Sequence, residues 1–306
     1  NTYSLSGIFQ FKDESWSRIY SETVPELGLF YDVARVRVNP QDSRISYAST
    51  WGTGLVELND GVPVAIYNAL NSPLLPTAGS ENNVRIVGME FDVDGNLWIS
   101  GSETGDNLLY CKTPGGEWHS FYFGSIAPTY STFGDIVVDD IGQKWIIGHR
   151  GVGLIVFNDG GTLANTGDDQ MKKLTQSLGN GNLASNDINS IAKDLDGEIW
   201  VGTTNGISVF YSPESVFEGG DFDSQQILVE QDGYVQQLLE NETVTDIVID
   251  GANQKWIGTA SAGVFLMSDD GTDEIHHFTT ENSPLFSDAI VSIGVDHLTG
   301  EVFIGT

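Results

Sequence analysis

Short runs of alternating apolar and polar residues recur along the chain, and each is followed by a turn rich in Gly, Asn or Asp. Typical runs are NDINSIAKD at residues 186–194 and ETVTDIVID at residues 242–250. After the turn comes an apolar run such as IWVGT, then a short loop and a run such as GISVF. A more variable run, such as EWHSFYF or IHHFTT, ends the unit. Period-two alternation and tight turns predict four antiparallel strands in each unit.

One aromatic residue marks the second strand of each unit, and its spacing defines a repeat. The aromatic positions, at intervals of 51, 47, 55, 56 and 47 residues, are Tyr47, Trp98, Trp145, Trp200, Trp256 and Phe303. A period near 50 residues is typical of the blades of a β-propeller. Burial of each ring between neighbouring sheets would contribute about 1.5–3 kcal/mol. We predict an all-β propeller of six four-stranded blades. The alternative is seven, with a degenerate blade in residues 158–186 or 212–241.

The two ends of the chain have complementary patterns. The last residues, EVFIGT, match a second strand, and NTYSLSGIFQF and ESWSRIY near the start match strands three and four. We therefore predict that one blade is shared between the N- and C-termini, which closes the ring and removes exposed sheet edges. We expect residues 1–306 to form a single β-propeller domain, trimmed from a larger protein. An open β-solenoid or part of a larger ring is the alternative.

Composition narrows the classes of function. Lys and Arg number 13 against 43 Asp and Glu, which gives a formal net charge of −30. This acidic balance argues against nucleic acid as a partner, because phosphate binding needs a basic face. The single cysteine, Cys111, excludes a disulfide framework and a cysteine-based zinc site. No apolar run reaches the roughly 18–20 residues of a membrane-spanning helix.

The repeated unit, D-x-x-G-x-x-W-[IV]-G-T-x-x-G-[IVL], resembles the two-component regulator propeller repeat of Bacteroidota. The runs from residue 183 to residue 306, which include LASNDINSIAKDLDGEIWVGTTNGISVFYSPESVF, are similar to the propellers of the PorZ family. Residues 1–182 share only the repeat pattern. The PorZ family acts at the cell surface, in the attachment complex of the type IX secretion system.

The resemblance implies a non-catalytic domain that is extracytoplasmic and associated with the outer membrane. It implies protein partners in the secretion and attachment complex, including a PorU-like sortase, and a role in handling anionic lipopolysaccharide. It implies no cofactor. The repeat type alone leaves an alternative, the periplasmic oligosaccharide-sensing propeller of a hybrid two-component regulator.

The repeated Asp that opens each turn has a structural interpretation. These residues are Asp92, Asp139, Asp194, Asp250 and Asp296. We expect each carboxylate to accept backbone N–H bonds of its turn. Calcium binding is the alternative for DVDGN at Asp92, although the run lacks the distal acidic ligand of a calcium loop. The sequence contains no nucleophile elbow, zinc-protease motif or phosphate loop, which argues against an enzyme.

The candidate ligand site is positional. In a propeller, the loops between strands two and three lie around the mouth of the channel. Most of these loops are small and polar, but STWGTG contains Trp51, and GHRGVG contains His149 and Arg150. Arg binds phosphate and carboxylate groups in a bidentate way, and Trp stacks on sugar rings. We therefore predict that Trp51, His149 and Arg150 bind an anionic glycan. The alternative is that Arg150 pairs with a neighbouring acid and Trp51 covers the blade surface.

The loop at residues 158–182, with Met171, Lys172 and Lys173, is a candidate protrusion for a protein partner.

Overall fold

A computed structural model gives the fold, and it describes residues 7–12, 14–20, 30–106, 109–231 and 234–306. Almost all of the regular structure is β-strand, as the alternating pattern predicts. The chain divides into two compact units. The first comprises residues 1–138 and 159–169, and the second comprises residues 139–158 and 170–306.

The first unit contains two four-stranded antiparallel sheets that follow the order of the sequence. One sheet consists of β3 (Val33–Val38), β4 (Ile45–Gly52), β5 (Leu55–Asn59) and β6 (Val62–Tyr67). The other consists of β7 (Val84–Phe91), β8 (Leu97–Ser102), β9 (Leu109–Lys112) and β10 (Trp118–Phe121). The end of β4 also pairs with the start of β7, which joins the two sheets at one corner.

Three further strands and a short helix complete the first unit. The strands are the hairpin of β1 (Ile8–Lys12) with β2 (Ser15–Ile19), and β11 (Phe133–Val138). A 3-10 helix spans Gly124–Ile126. Ser100 and Ser102 of β8 donate their hydroxyls to the carbonyls of Gly134 and Phe133, at 2.9 and 3.1 Å. Strand β11, the first strand of the next repeat, therefore packs directly against β8 of the preceding repeat.

The second unit contains the remaining strands, again as successive antiparallel sheets. Its strands are β12 (Lys144–Gly148), β13 (Gly153–Asn158) and β14 (Gln170–Leu174); β15 (Ile188–Lys193), β16 (Ile199–Thr203) and β17 (Gly206–Phe210); β18 (Leu228–Gln231) and β19 (Tyr234–Gln237); β20 (Val244–Ile249), β21 (Lys255–Thr259), β22 (Val264–Met267) and β23 (Glu274–Phe278); and β24 (Ser292–Val295) and β25 (Val302–Gly305). Helix α1 is a single turn at Ser215–Glu218.

The segments considered for a seventh blade contain less regular structure than a blade. In their described parts, the strands are β14 at one place and the hairpin β18–β19 at the other. The interpretation of residues 158–182 as one long loop that carries Met171, Lys172 and Lys173 is wrong. These three residues lie in β14 and pair with β13. Lys172 also lies over the ring of Phe222, 3.9 Å from its centroid, and donates to the carbonyl of Val216.

The cores lie between successive sheets and are built from the repeated aromatic residues. Trp98, Trp145 and Trp200 are fully buried. In the second unit, Trp200 packs with Ile227, Ile257 and Met267, so the aromatic of one repeat is covered by residues of the next repeat. This arrangement confirms the predicted burial for Tyr47 and for these three Trp rings, but the prediction is wrong for Phe303, whose side chain is exposed. The predicted blade shared by the two termini includes residues 1–6, which lie outside the described residues, and it stays a prediction.

Candidate functional site

The turn between the first and second strand has one carboxylate geometry in four repeats. Oδ1 of the Asp accepts backbone N–H groups two and four residues on, as in Asp139 with Ile141 and Gln143 at 3.2 and 2.8 Å. Oδ2 accepts the indole N–H of the repeated Trp. These bonds join Asp92 to Trp98, Asp139 to Trp145, Asp194 to Trp200 and Asp250 to Trp256, at 2.8–3.1 Å. The predicted turn-capping role of these Asp residues is confirmed, and their carboxylates stabilise the repeat.

Trp51 lies near the end of β4 in the first unit and is half-buried. The guanidinium carbon of Arg85 lies 5.0 Å from the centroid of the Trp51 ring. The two residues are register partners where β4 pairs with β7, so the sheet junction holds the cation over the ring. A cation–π contact at a partly buried site contributes about 1 kcal/mol. One face of the ring predicted to stack on a sugar is thus in contact with Arg85.

Arg85 also forms an ion pair with Glu103, which follows β8. Thr132 donates its hydroxyl to the other carboxylate oxygen of Glu103 at 3.4 Å. Beside this group, three enclosed side-chain atoms have no hydrogen-bond partner within the described residues: Thr53 Oγ1, Asn83 Oδ1 and Arg85 Nε. Thr53 bridges to Val84, so these atoms lie at the same sheet corner. An aromatic ring, a guanidinium and a carboxylate therefore meet at this corner of the first unit.

His149 and Arg150 lie in the turn between β12 and β13, in the second unit. The carbonyl of His149 accepts the Val152 N–H at 3.3 Å. Arg150 adopts a left-handed backbone conformation, with φ of +58°, and its side chain is exposed. The backbone of this turn places Arg150 at its tip. A site shared by Trp51, His149 and Arg150 stays a prediction.

Two arginines that the sequence analysis missed form a charged network in the first unit. Arg35 and Arg37 lie two residues apart in β3 and therefore on one face of the strand. Arg37 pairs with Glu90 at 3.2 Å and with Asp135 at 3.2 Å, and Arg35 pairs with Asp135 at 3.4 Å. Burial opposes the charge of Arg37, but Asp135 and Glu90 outweigh it, so the pKa of Arg37 is raised. The sequence did contain a signal for this network, because two Arg residues lie close together in a chain that has only 13 Lys and Arg.

A buried ion pair links two successive repeats of the second unit. Nζ of Lys255, in β21, lies 3.1 Å from Asp194 and 4.8 Å from the centroid of the Trp200 ring, and both charged side chains are fully buried. The neighbouring Glu198 has its pKa raised to about 7, mainly by burial and then by the negative charge of Asp194. The group holds the two repeats together and contains a carboxyl that titrates near neutrality.

Comparisons with known proteins agree with the fold. The family model described as two component regulator propeller matches residues 182–205. The structure is similar to that of PorZ, "an essential bacterial surface component of the type-IX secretion system" of Porphyromonas gingivalis. The sequence identity is 27%, the TM-score is 0.85, and the match covers 99% of this chain and 44% of PorZ. No curated protein matches the chain significantly in sequence.

Two more distant structures share the fold. One is the extracellular domain of a protein described as a hybrid two component system, BT4673, of B. thetaiotaomicron, with 18% identity, a TM-score of 0.63 and coverage of 99% of this chain and 35% of that one. The other is a catalytically inactive virginiamycin B lyase from Staphylococcus aureus, with 11% identity, a TM-score of 0.59 and coverage of 89% and 76%. The chain spans less than half the length of PorZ and of BT4673.

No helix in the described part of the chain is long and apolar enough to cross a membrane. The sheet order, the repeated Asp and Trp and the structural comparisons together confirm the predicted fold class. The chain is an all-β propeller that carries a two-component regulator propeller repeat at residues 182–205 and is similar to PorZ.

Proposed function

We propose that this chain is an extracytoplasmic, non-catalytic binding domain that acts in type IX secretion and in the attachment of cargo to the cell surface. The observation that carries the proposal is the similarity to PorZ, which extends over 99% of the chain at a TM-score of 0.85. We propose further that residues 1–306 form one propeller domain of a longer protein. Its partners would be proteins of the attachment complex, including a PorU-like sortase.

The charge of the chain supports a function based on protein contacts. With a net charge of −30, the surface repels other anions unless a local basic group receives them. In the first unit, Arg35, Arg37 and Arg85 already pair with carboxylates. Anionic lipopolysaccharide would therefore need exposed bases such as Arg150. Trp51, His149 and Arg150 are the residues proposed for this ligand.

Affinity isolation from native outer membranes tests the secretion function. The tagged domain is incubated with detergent-solubilised outer membranes, and bound proteins are identified by mass spectrometry. The proposal expects enrichment of a sortase of the attachment complex over a control bait of similar charge and size. Sortase recovered equally with both baits, or with neither, contradicts the proposal.

The glycan site has a separate test. Binding of purified anionic lipopolysaccharide is compared among the natural chain, Trp51→Ala and Arg150→Ala, with Arg44→Ala as a matched control. Arg44 is an exposed base that pairs with its neighbour Asp42, and Arg44→Ala changes the net charge by the same amount as Arg150→Ala. The proposed site expects a loss of affinity of about tenfold in the first two variants only. Unchanged binding in both removes the site.

A sensory function is the second candidate, and the family model at residues 182–205 supports it. In this case, the domain would bind an oligosaccharide in the periplasm and pass the signal to a kinase of a two-component regulator. Glycan-array binding of neutral oligosaccharides, without sortase enrichment, would favour this function over secretion.

A further inference from the structure

A groove with a volume of about 520 Å³ lies in the second unit, beside the outer strands of the sheet β20–β23. The hairpin β18–β19 and the segment that follows it, residues 238–242, form one wall. Strands β22 and β23 form the other. The proposed glycan site and the Asp–Trp turns contribute no residue to this groove.

The groove exists because one repeat lacks a regular fourth strand. The sheet β15–β17 has three strands, and the following chain makes one bridge to it, between Val209 and Gln225. The chain then forms the hairpin β18–β19. In the sheet β20–β23, by contrast, a fourth strand runs beside the third. The groove therefore lies between this hairpin and strands β22 and β23 of the next sheet.

The floor of the groove is apolar and its rim is acidic. Leu238, Phe265 and Met267 lie at the floor and are buried. Glu240, Glu242 and Glu274 lie at the rim, and none of the lining residues is Lys or Arg. Ser261 donates its hydroxyl to Glu242 at 3.0 Å. Glu240 and Glu274 are exposed side chains on opposite walls. The groove therefore offers an apolar surface between two carboxylates.

His277 is fixed at one side of this surface. Its ring stacks on Phe265 with centroids 3.9 Å apart and an interplanar angle of 14°. Its Nε2 lies 2.5 Å from the carbonyl oxygen of Ala262. Since that carbonyl accepts a hydrogen bond from the Nε2–H group, Nδ1 is the ring nitrogen that can bond a further partner. A flat, preformed wall of this kind lowers the entropic cost of binding.

We propose that this groove binds a basic peptide segment of a partner protein in an extended conformation. A Lys or Arg side chain has an aliphatic stem, which suits the floor of Phe265 and Met267, and a cationic end, which suits the carboxylates. In an extended chain, alternate side chains point to the same side, so a peptide in which Lys and Leu alternate presents all its Lys side chains to the groove that Glu240 and Glu274 line. The inference goes beyond the proposed secretion function and does not depend on it.

Calorimetric titration with a defined peptide tests the proposal. The probe is acetyl-Lys-Leu-Lys-Leu-Lys-amide, titrated into the whole chain at about 150 mM NaCl, where distant charges are screened. The acidic counterpart, acetyl-Glu-Leu-Glu-Leu-Glu-amide, is the control ligand. The variant Glu240→Gln/Glu274→Gln removes the charges of the rim. The variant Glu81→Gln/Glu117→Gln removes two exposed charges of the first unit and has the same net charge.

The expected result is binding of the basic peptide alone, with affinity reduced about tenfold by the rim substitutions and less than about twofold by the control substitutions. As a second test, Asn241→Arg places a cation at the rim and should weaken binding by a similar factor, since it competes for the same carboxylates. Equal losses in the two double variants would show general attraction to an acidic protein and would overturn the proposal. Absence of binding to the natural chain, or equal binding of the acidic peptide, would also overturn it.

Discussion

At the scale of single residues, one carboxylate in each of four repeats connects a turn to the core. One oxygen of the Asp caps the turn, and the other holds the indole N–H of a Trp that is six residues away. Without that bond, the indole N–H would be buried without a partner, which costs about 1–3 kcal/mol. Burial of the Trp ring stabilises the repeat, and the same burial makes the Asp necessary as an acceptor for the indole N–H.

We expect Asp139→Ala to lower the free energy of unfolding by about 3–5 kcal/mol, because it leaves several buried donors without an acceptor. Asp296→Ala is the matched control. Asp296 caps the corresponding turn by accepting the Leu298 N–H at 2.8 Å. The aromatic of its repeat is Phe303, whose ring has no N–H to donate. Asp296→Ala should therefore lower the free energy of unfolding much less than Asp139→Ala does. Urea denaturation followed by circular dichroism measures both, and equal costs would contradict the role of the indole bond.

Glu198 makes stability depend on pH near neutrality. Its pKa is raised to about 7, so the folded state holds a proton that the unfolded chain releases at its ordinary, lower pKa. The stability contributed by the protonated carboxyl is complete below the unfolded pKa and is lost as pH rises through about 7.

The variant Glu198→Gln keeps the shape and remains neutral at every pH. We expect it to match the natural chain at about pH 4 and to be more stable by about 1 kcal/mol at about pH 8, after allowing for solvent screening of this partly exposed group. Denaturation curves at the two pH values measure the difference. A constant difference between the two proteins would show that Glu198 titrates normally.

At the scale of elements, the sequence predicted the strands where turn chemistry and alternation agree. Gly263, before β22, shows why: its φ is +81°, and a Cβ there would overlap the carbonyl oxygen of Phe278. A position of this kind can be predicted from the sequence, because only Gly fits its backbone conformation and surroundings. β14 was missed because Met171, Lys172 and Lys173 have no alternation of apolar and polar residues. The strand forms because its backbone pairs with β13 and Lys172 covers Phe222.

The steric conflict that a Cβ at Gly263 would cause gives a prediction for the loop before β22. Gly263→Ala should lower the free energy of unfolding by about 2–4 kcal/mol, because the backbone must shift and the bond from Thr259 N–H to the Gly263 carbonyl, at 3.0 Å, is disturbed. Gly251→Ala, in the turn before the same strand pair, meets no atom within 4 Å and should change stability by less than about 0.5 kcal/mol. Thermal unfolding of both variants compares them, and similar midpoints would contradict the steric argument.

The contacts of the candidate site were harder to predict from the sequence than the fold, because they join residues that are far apart in the sequence. Trp51 was identified as an aromatic residue in a loop of small residues, but Arg85 was not identified as its partner. That contact arises from the pairing of β4 with β7, and no local pattern encodes it. The Lys255–Asp194 pair likewise depends on the packing of two repeats. Periodicity predicts which residues face inward but not which charges meet there.

At the scale of the whole molecule, net charge sets the response to salt. With −30 charges, repulsion opposes the compact state, and added ions screen it. We expect the midpoint of thermal unfolding to rise by about 2–5 °C between about 50 and about 500 mM NaCl. A falling midpoint would mean that attractive groups such as Arg35, Arg37 and Asp135 outweigh the repulsion.

The enclosed indoles have an optical consequence. Trp98, Trp145 and Trp200 lie in three different repeats, and each is fully shielded from solvent with its N–H bound to a carboxylate. Their emission should therefore be shifted to short wavelengths and resist aqueous quenchers such as iodide. If all but one of the seven Trp residues were replaced by Phe, the emission of the remaining Trp would report on the repeat that contains it. Such single-Trp proteins would reveal whether the repeats melt together or one after another.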